Sequence, residues 1–164
     1  MDNTSFASIR RAASQILEQS NNQVNILINT AGVMGIQELT LTEDHYEIHF
    51  ATNYLGHFLL FQLLKPALLA SVTPSFNSRV VNVSSCAQRA ARLEDNDNID
   101  LQKHGYDAMA AYANAKLASI YMSNEIDRRY RDRGLHATSL HPGGVSTNIG
   151  RHMGPRVGSR ASQE

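Results

Sequence analysis

The sequence predicts an α/β fold: a parallel sheet whose strands are joined by right-handed helical crossovers. Three observations predict it. Helical and β-branched runs alternate along the chain as helix, strand, helix, strand, helix, strand. The runs at 24–29 and 79–83 are short and nearly all apolar, the pattern of parallel strands covered on both faces. Each strand also runs straight into small or polar residues: Asn29-Thr30-Ala31-Gly32, Ser84-Ser85 and Pro142-Gly143-Gly144. In open parallel sheets, ligands bind beyond those carboxyl ends.

The elements follow in order. Residues 5–19 carry Phe6, Ile9, Ala13, Ile16 and Leu17 at helical spacing, with Arg10, Arg11 and Glu18 between them. Asn3, Thr4 or Ser5 can cap this helix, and Asn21-Asn22 ends it. The strand at 24–29 leads into a loop over 33–41. Thr42-Glu43-Asp44 predicts the start of a long helix, with a hydroxyl cap and acids where the helix dipole favours them. That helix carries Asn53 and His57 among aromatics, and Pro66 is expected to kink or end it. A turn over 71–78 precedes the strand at 79–83. Residues 86–107 are poor in apolar side chains and cluster Glu94, Asp95, Asp97 and Asp100, which predicts a surface loop beside the site. The third helix is expected over 108–133, stopped by Gly134, before the strand at 135–140.

Composition narrows the function. A length of 164 residues fits one domain, and 42% apolar with 18% charged residues supports a packed core. Fifteen basic and fifteen acidic side chains cancel, so net charge predicts no attraction to nucleic acid or to an anionic membrane. The single Cys86 has no internal disulfide partner, which fits a reducing compartment; its plainest role is a small packed side chain. No run has the roughly 18 apolar residues of a transmembrane segment, and Met1-Asp2-Asn3-Thr4 carries no basic-then-apolar signal. A soluble, cytoplasmic protein is the expectation. The histidines show no metal-ligand spacing, so no metal is expected; His45 and His49 read as packing and His57 as a core or interface histidine.

The chemistry centres on Tyr112-Ala113-Asn114-Ala115-Lys116. Residues at i and i+4 share a helix face, so the lysine charge lies near the phenol. Positive charge favours phenolate and lowers the tyrosine pKa, making a general acid/base for a carbonyl or alcohol oxygen. The same spacing also fits a tyrosine packed at a helix edge beside a solvated lysine.

Further residues carry a resemblance. In order they are Asn29-Thr30-Ala31-Gly32, Asn53 within Asn-Tyr-Leu-Gly-His-Phe, Asn82-Val83-Ser84-Ser85, Tyr112-x-x-x-Lys116, and Pro142-Gly143-x-Val145-x-Thr147. With these motifs the chain resembles the short-chain dehydrogenase/reductase family to about residue 150, most closely its retinol-dehydrogenase-like branch. The resemblance implies a Rossmann-type doubly wound parallel sheet and an NADP- or NAD-dependent interconversion of carbonyl and alcohol. Tyr112 would exchange the proton. Lys116 would lower its pKa and bind the nicotinamide ribose. Ser85 would hydrogen-bond the substrate oxygen, and Asn53 would hold a water linking Lys116 to solvent. Asn29, Ala31 and Gly32 would line the adenosine side, with Asp2 contacting adenine. Pro142, Gly143, Val145 and Thr147 would wrap the nicotinamide. The implied substrate is a small lipophilic carbonyl or alcohol, in a specialised biosynthetic pathway. The implied partner is a second copy, through the helices bearing Asn53 and Tyr112, with Leu59, Leu63, Leu117 and Tyr121 in the contact.

The departures from the family pattern matter as well. Thr30 replaces a second Asn, which puts the sheet-bridging role of that position in question, and Ala115 replaces a serine. No glycine precedes Gly32, so the turn that lets a pyrophosphate approach the backbone has no counterpart here. The expectation is therefore an incomplete, truncated domain over residues 1–150 with a flexible tail over 151–164. Such a chain needs a partner to complete its sheet, or is a non-catalytic remnant.

Overall fold

The computed structural model describes residues 1–93, 98–103, 105–145 and 147–153. Glu94, Asp95 and Asp97 of the acidic loop, His104, Ser146 and the tail from residue 154 lie outside them. Helix α1 (Phe6–Gln19) starts at Ser5, whose hydroxyl accepts the Ser8 N–H, and ends where Asn21 and Asn22 turn to φ of 51° and 59°. Strand β1 (Ile26–Asn29) follows. A long loop then reaches a continuous helical stretch of α2 (Ile48–Phe50), a π-helical turn (Ala51–Leu55) and α3 (Gly56–Ala70). Strand β2 (Ser78–Val83), helix α4 (Ala108–Tyr130) and strand β3 (Leu135–Leu140) complete the layout. Gly134, at φ 75°, makes the left-handed stop before β3, as expected.

The three strands are parallel in the order β1-β2-β3, with Leu27 beside Val80 and Val80 beside Ala137. Side chains alternate across a sheet, so this register sorts them into two faces. Leu27, Val80 and Leu135 point to one face and join Ile9, Phe61, Leu64, Leu68, Met122 and Ile126 in a single apolar core. Ile26, Ile28, Thr138 and Leu140 point to the other face and are exposed; Ile26 is 51% and Ile28 58% accessible. The parallel α/β sheet is as predicted. Burial on both faces is not: among the described residues all the long helices belong to the one core.

Two helix expectations are also corrected. The second helix does not begin at Thr42. Thr42 closes a turn with Tyr46, and Glu47 caps the helix instead, its Oε2 accepting the Phe50 N–H at 2.7 Å. The acids expected in that first turn cross over to α1: Ser5 donates its hydroxyl to Glu43, and the Phe6 N–H donates to Asp44 Oδ2 at 2.8 Å. Pro66 neither ends nor breaks α3, which runs on to Ala70. It sits on the exposed side, where water can take the carbonyl left unbonded one turn back.

Candidate active site

The carboxyl end of β2, the π-helical turn and the first turns of α4 bring Ser85, Asn53, Tyr112 and Lys116 together. Asp107 caps α4 by accepting the Ala110 N–H at 2.7 Å, which sets Tyr112 in the second turn. Tyr112 is buried, and the Ser85 side chain lies near enough to pull the pKa of its phenol down. Lys116 is only 2% exposed, and its Nζ donates to the Val83 carbonyl at 2.8 Å. The Ser84 hydroxyl donates to the Lys116 carbonyl at 2.7 Å, tying the end of β2 to α4 a second time.

The lysine does not act on the phenol as the spacing predicted. Its Nζ lies 5.6 Å over the Tyr112 ring centroid and turns toward Val83 rather than the hydroxyl. Burial pushes the Tyr112 phenol up; the Ser85 hydrogen bond pulls it back, and Cys86 adds to the rise. Burial also pushes Lys116 down to about 8.

Asn53 sits in the π-helical turn and is fully buried. Its amide grips one residue of the loop after β1: Oδ1 accepts the Val33 N–H at 2.8 Å, and Nδ2 donates to the Val33 carbonyl at 2.9 Å. Its own carbonyl faces the His57 Nδ1 at 3.0 Å and accepts the Ser119 hydroxyl at 3.3 Å. Burial, and then the Lys116 charge, press His57 down to about 4, so the reading as a satisfied core histidine fits. Gly32 closes this corner. A Cβ there would lie 3.0 Å from Asn53 Oδ1 and 3.7 Å from Lys116 Nζ. A side chain here would crowd the Asn53 amide, so the bare backbone keeps the corner open.

The other sequence-predicted residues divide. Asn29 has a buried side chain whose Nδ2 donates to Asn82 Oδ1 at 2.7 Å. Asn82 Nδ2 donates in turn to Ser123 Oγ at 2.8 Å, so Asn29 is the sheet bridge, and Thr30 is exposed. Ala31 is exposed at the mouth of β1. Pro142, Gly143 and Val145 form an exposed loop beyond β3, with Gly143 at φ 84°. Thr147 caps the short helical turn Asn148–His152, accepting the Ile149 N–H. A depression of about 220 Å³ joins Ser85 and Cys86 to Leu140 and His141, so the ends of β2 and β3 share one hollow. Asp2 is exposed before α1, its Oδ1 taken by the Thr4 N–H and hydroxyl, which hold its carboxyl low.

Sequence reasoning missed two polar clamps. Asn114, between Tyr112 and Lys116, accepts the Arg92 N–H at 2.9 Å and donates to the Ile99 carbonyl at 3.0 Å, fastening the loop after β2. Glu47, His49 and Tyr106 form a second cluster. Among the described residues no group of His, Cys, Asp and Glu has a metal-holding arrangement, and no helix is long and apolar enough to cross a membrane.

Comparison with known proteins places this geometry. The family model described as short chain dehydrogenase matches residues 1–94. Short-chain dehydrogenase/reductase prx1 of Penicillium rubens is 48% identical over 157 residues, 96% of this chain and 45% of the relative. Retinol dehydrogenase 13 of Homo sapiens is 42% identical over 154 residues, 94% of this chain and 44% of the relative. The chain thus spans just under half the length of these relatives. Among solved structures, the Pseudomonas aeruginosa RhlG/NADP active-site complex superposes with a TM-score of 0.69 at 25% identity, covering 92% of this chain and 54% of that one.

Proposed function

The chain belongs to the short chain dehydrogenase family, and from that membership we propose that it carries the catalytic half of an NADP- or NAD-dependent oxidoreductase interconverting a carbonyl and an alcohol. The observation that carries the reading is the shared corner of Ser85, Tyr112, Lys116 and Asn53, reached by exposed backbone from β1 and β3. The residues fit the nicotinamide end of the cofactor. Gly32 leaves room beside the Lys116 ammonium, Ala31 is open, and Pro142, Gly143, Val145 and Thr147 stand exposed opposite. When bound, the cofactor supplies or accepts the hydride. Ser85 holds the substrate oxygen by hydrogen bonding where charge develops. Tyr112 passes its hydroxyl proton to that oxygen in reduction and takes it back in oxidation. Lys116, held at the end of β2 by the Val83 carbonyl, binds the ribose. Asn53 positions the loop beside Lys116 and lies on the route by which its proton is replaced.

NADP is favoured by the similarity to the RhlG/NADP complex, which shares this fold. The substrate class in this reading is a small lipophilic carbonyl or alcohol, in keeping with the similarity to retinol dehydrogenase 13. The exposed, unpaired Cys86 agrees with a cytoplasmic setting. A homodimer through α3 and α4 is part of this reading: Phe58 and Tyr121 are exposed around a groove of about 320 Å³ between those helices.

A second reading is a non-catalytic chain that holds the dinucleotide poorly. It is favoured by β1, which pairs with β2 alone among the described strands while Ile26 and Ile28 stay exposed. One experiment separates the two. The chain is titrated with NADPH and assayed on a panel of lipophilic ketones and aldehydes, beside Tyr112→Phe. The oxidoreductase reading expects micromolar NADPH binding and a rate that falls about 10²- to 10⁴-fold in the variant. A variant as fast as the parent overturns the mechanism, and no binding at millimolar NADPH supports the second reading.

A further inference from the structure

The loop after β1 must present Gly32 and Val33 to Asn53 and Lys116, yet residues 30–39 form neither helix nor strand. Asn53 holds it at Val33. A second grip lies three residues on, at Ile36. The Ile36 N–H donates to His49 Nε2 at 3.3 Å, and the Ile36 carbonyl accepts the Tyr106 hydroxyl at 2.9 Å. Both polar groups of one peptide segment are thus taken by side chains, as a neighbouring strand would take them.

The hydrogen bonds fix how this cluster works. Because Nε2 accepts, the His49 proton sits on Nδ1 and donates to Glu47 Oε1 at 2.6 Å. Glu47 and His49 are both fully buried, and the other Glu47 oxygen caps α2 through the Phe50 N–H. Tyr106 lies 3.3 Å from Glu47 Oε1 and stands just ahead of Asp107, the cap of α4. His49 and Asn53 are four residues apart on one helical stretch, and they grip Ile36 and Val33, three residues apart in the loop. Tyr106 brings the approach to α4 to the same point. Between the two grips, Gly35 is at φ 76° and so close to Met153 that a Cβ would lie 2.6 Å from its Cγ.

We propose that Glu47, His49 and Tyr106 are positioning residues that hold Ile36 and thereby set the Gly32–Val33 corner against Asn53, Lys116 and the helix carrying Tyr112. None of the three need touch substrate or cofactor. Glu47 orients His49, His49 and Tyr106 hold the loop, and the loop supplies one wall of the site. The inference rests on the oxidoreductase reading for its purpose but not for its test.

Amide hydrogen exchange on the ¹⁵N-labelled full chain tests it, comparing Val33 and Ile36 with Ala111 in α4. In His49→Leu and Tyr106→Phe, exchange at both Val33 and Ile36 should quicken by about fivefold or more, while Ala111 stays unchanged. His49→Gln keeps an acceptor for Ile36 and a donor for Glu47, so it should restore both loop amides to within about twofold of the parent. The proposal is overturned if Val33 keeps its parent rate in Tyr106→Phe, or if Ala111 quickens in step with the loop, which marks general loss of stability. Should His49→Leu not fold, Tyr106→Phe decides alone, since it removes one oxygen and keeps the ring. No readout uses turnover, so an inactive chain leaves this test intact.

Discussion

Lys116 shows how far the surroundings of a single residue govern its chemistry. Its ammonium is almost wholly buried and has one hydrogen bond, to the Val83 carbonyl. Burying a charge with so few partners disfavours the charged form, so the folded pKa falls from 10.5 to about 8. The sign of the linked stability follows. Between about pH 8 and 10.5 the unfolded chain binds the proton and the folded chain does not, so stability rises with pH across that window. Below pH 8 both states are charged and the full cost of burial stands. Urea unfolding should therefore show stability rising by about 1 kcal/mol from pH 8 to 9.5, below the range where the raised phenols of Tyr54, Tyr106 and Tyr112 oppose the rise. In Lys116→Met that rise should vanish, and the variant should be at least as stable as the parent at pH 7. A parent profile flat through this window would refute the burial argument. The Tyr112–Lys116 pairing was legible in the sequence because i and i+4 neighbours are local. Which way the ammonium turns was not, because Val83 is 33 residues away.

At the scale of the element, the π-helical turn decides where Asn53 points. A wider turn leaves carbonyls without their usual partner, and here His57 and Ser119 meet that of Asn53. Gly56 follows at once, with ordinary helical φ of −61°, so its lack of a side chain serves space rather than conformation. A Cβ would lie 2.9 Å from the Asn3 carbonyl and 3.3 Å from that of Ala51. Alanine is the better helix former by about 1 kcal/mol. Pressing a methyl into backbone costs typically about 1–3 kcal/mol, and the crowding should win. Gly56→Ala is expected to lower the urea midpoint by about 1 kcal/mol of stability; a raised midpoint would show that the Asn3 segment simply moves aside. The sequence marked this helix and its polar Asn53 but misplaced its start. Thr42 and Glu47 are both competent caps locally, and the choice fell to α1, whose N-terminus takes Glu43 and Asp44.

For the whole molecule, the arrangement of layers matters most. Helices α3 and α4 meet in a groove edged by Tyr121, 56% exposed, and Phe58, 39% exposed. The proposed homodimer predicts that Tyr121→Glu, which sets a charge in an apolar contact, shifts a sedimenting dimer to monomer without unfolding it. A parent chain that sediments as a monomer at every concentration would rule the dimer out. The other side of the sheet shows Ile26, Ile28 and Leu140, an apolar face with an open strand edge at β1. The run at 24–29 predicts burial for Ile26 and Ile28 because hydrophobicity records what a strand is suited to meet. What meets it within this chain is a separate matter.

The sequence by itself determined the α/β class, the parallel sheet and the stop at Gly134, and its resemblance to a family singled out Ser85, Asn53, Tyr112 and Lys116. These follow from periodicity, turn chemistry and short motifs, which are local and so written in consecutive residues. Only the tertiary structure decided that Asn29 bridges to Asn82, that Lys116 turns to Val83, and that one sheet face stays open. It alone joined Glu47, His49 and Tyr106 around Ile36. Each of those outcomes depends on groups far apart in the chain competing for the same hydrogen bonds and the same space, and such competition is settled only when the chain has packed.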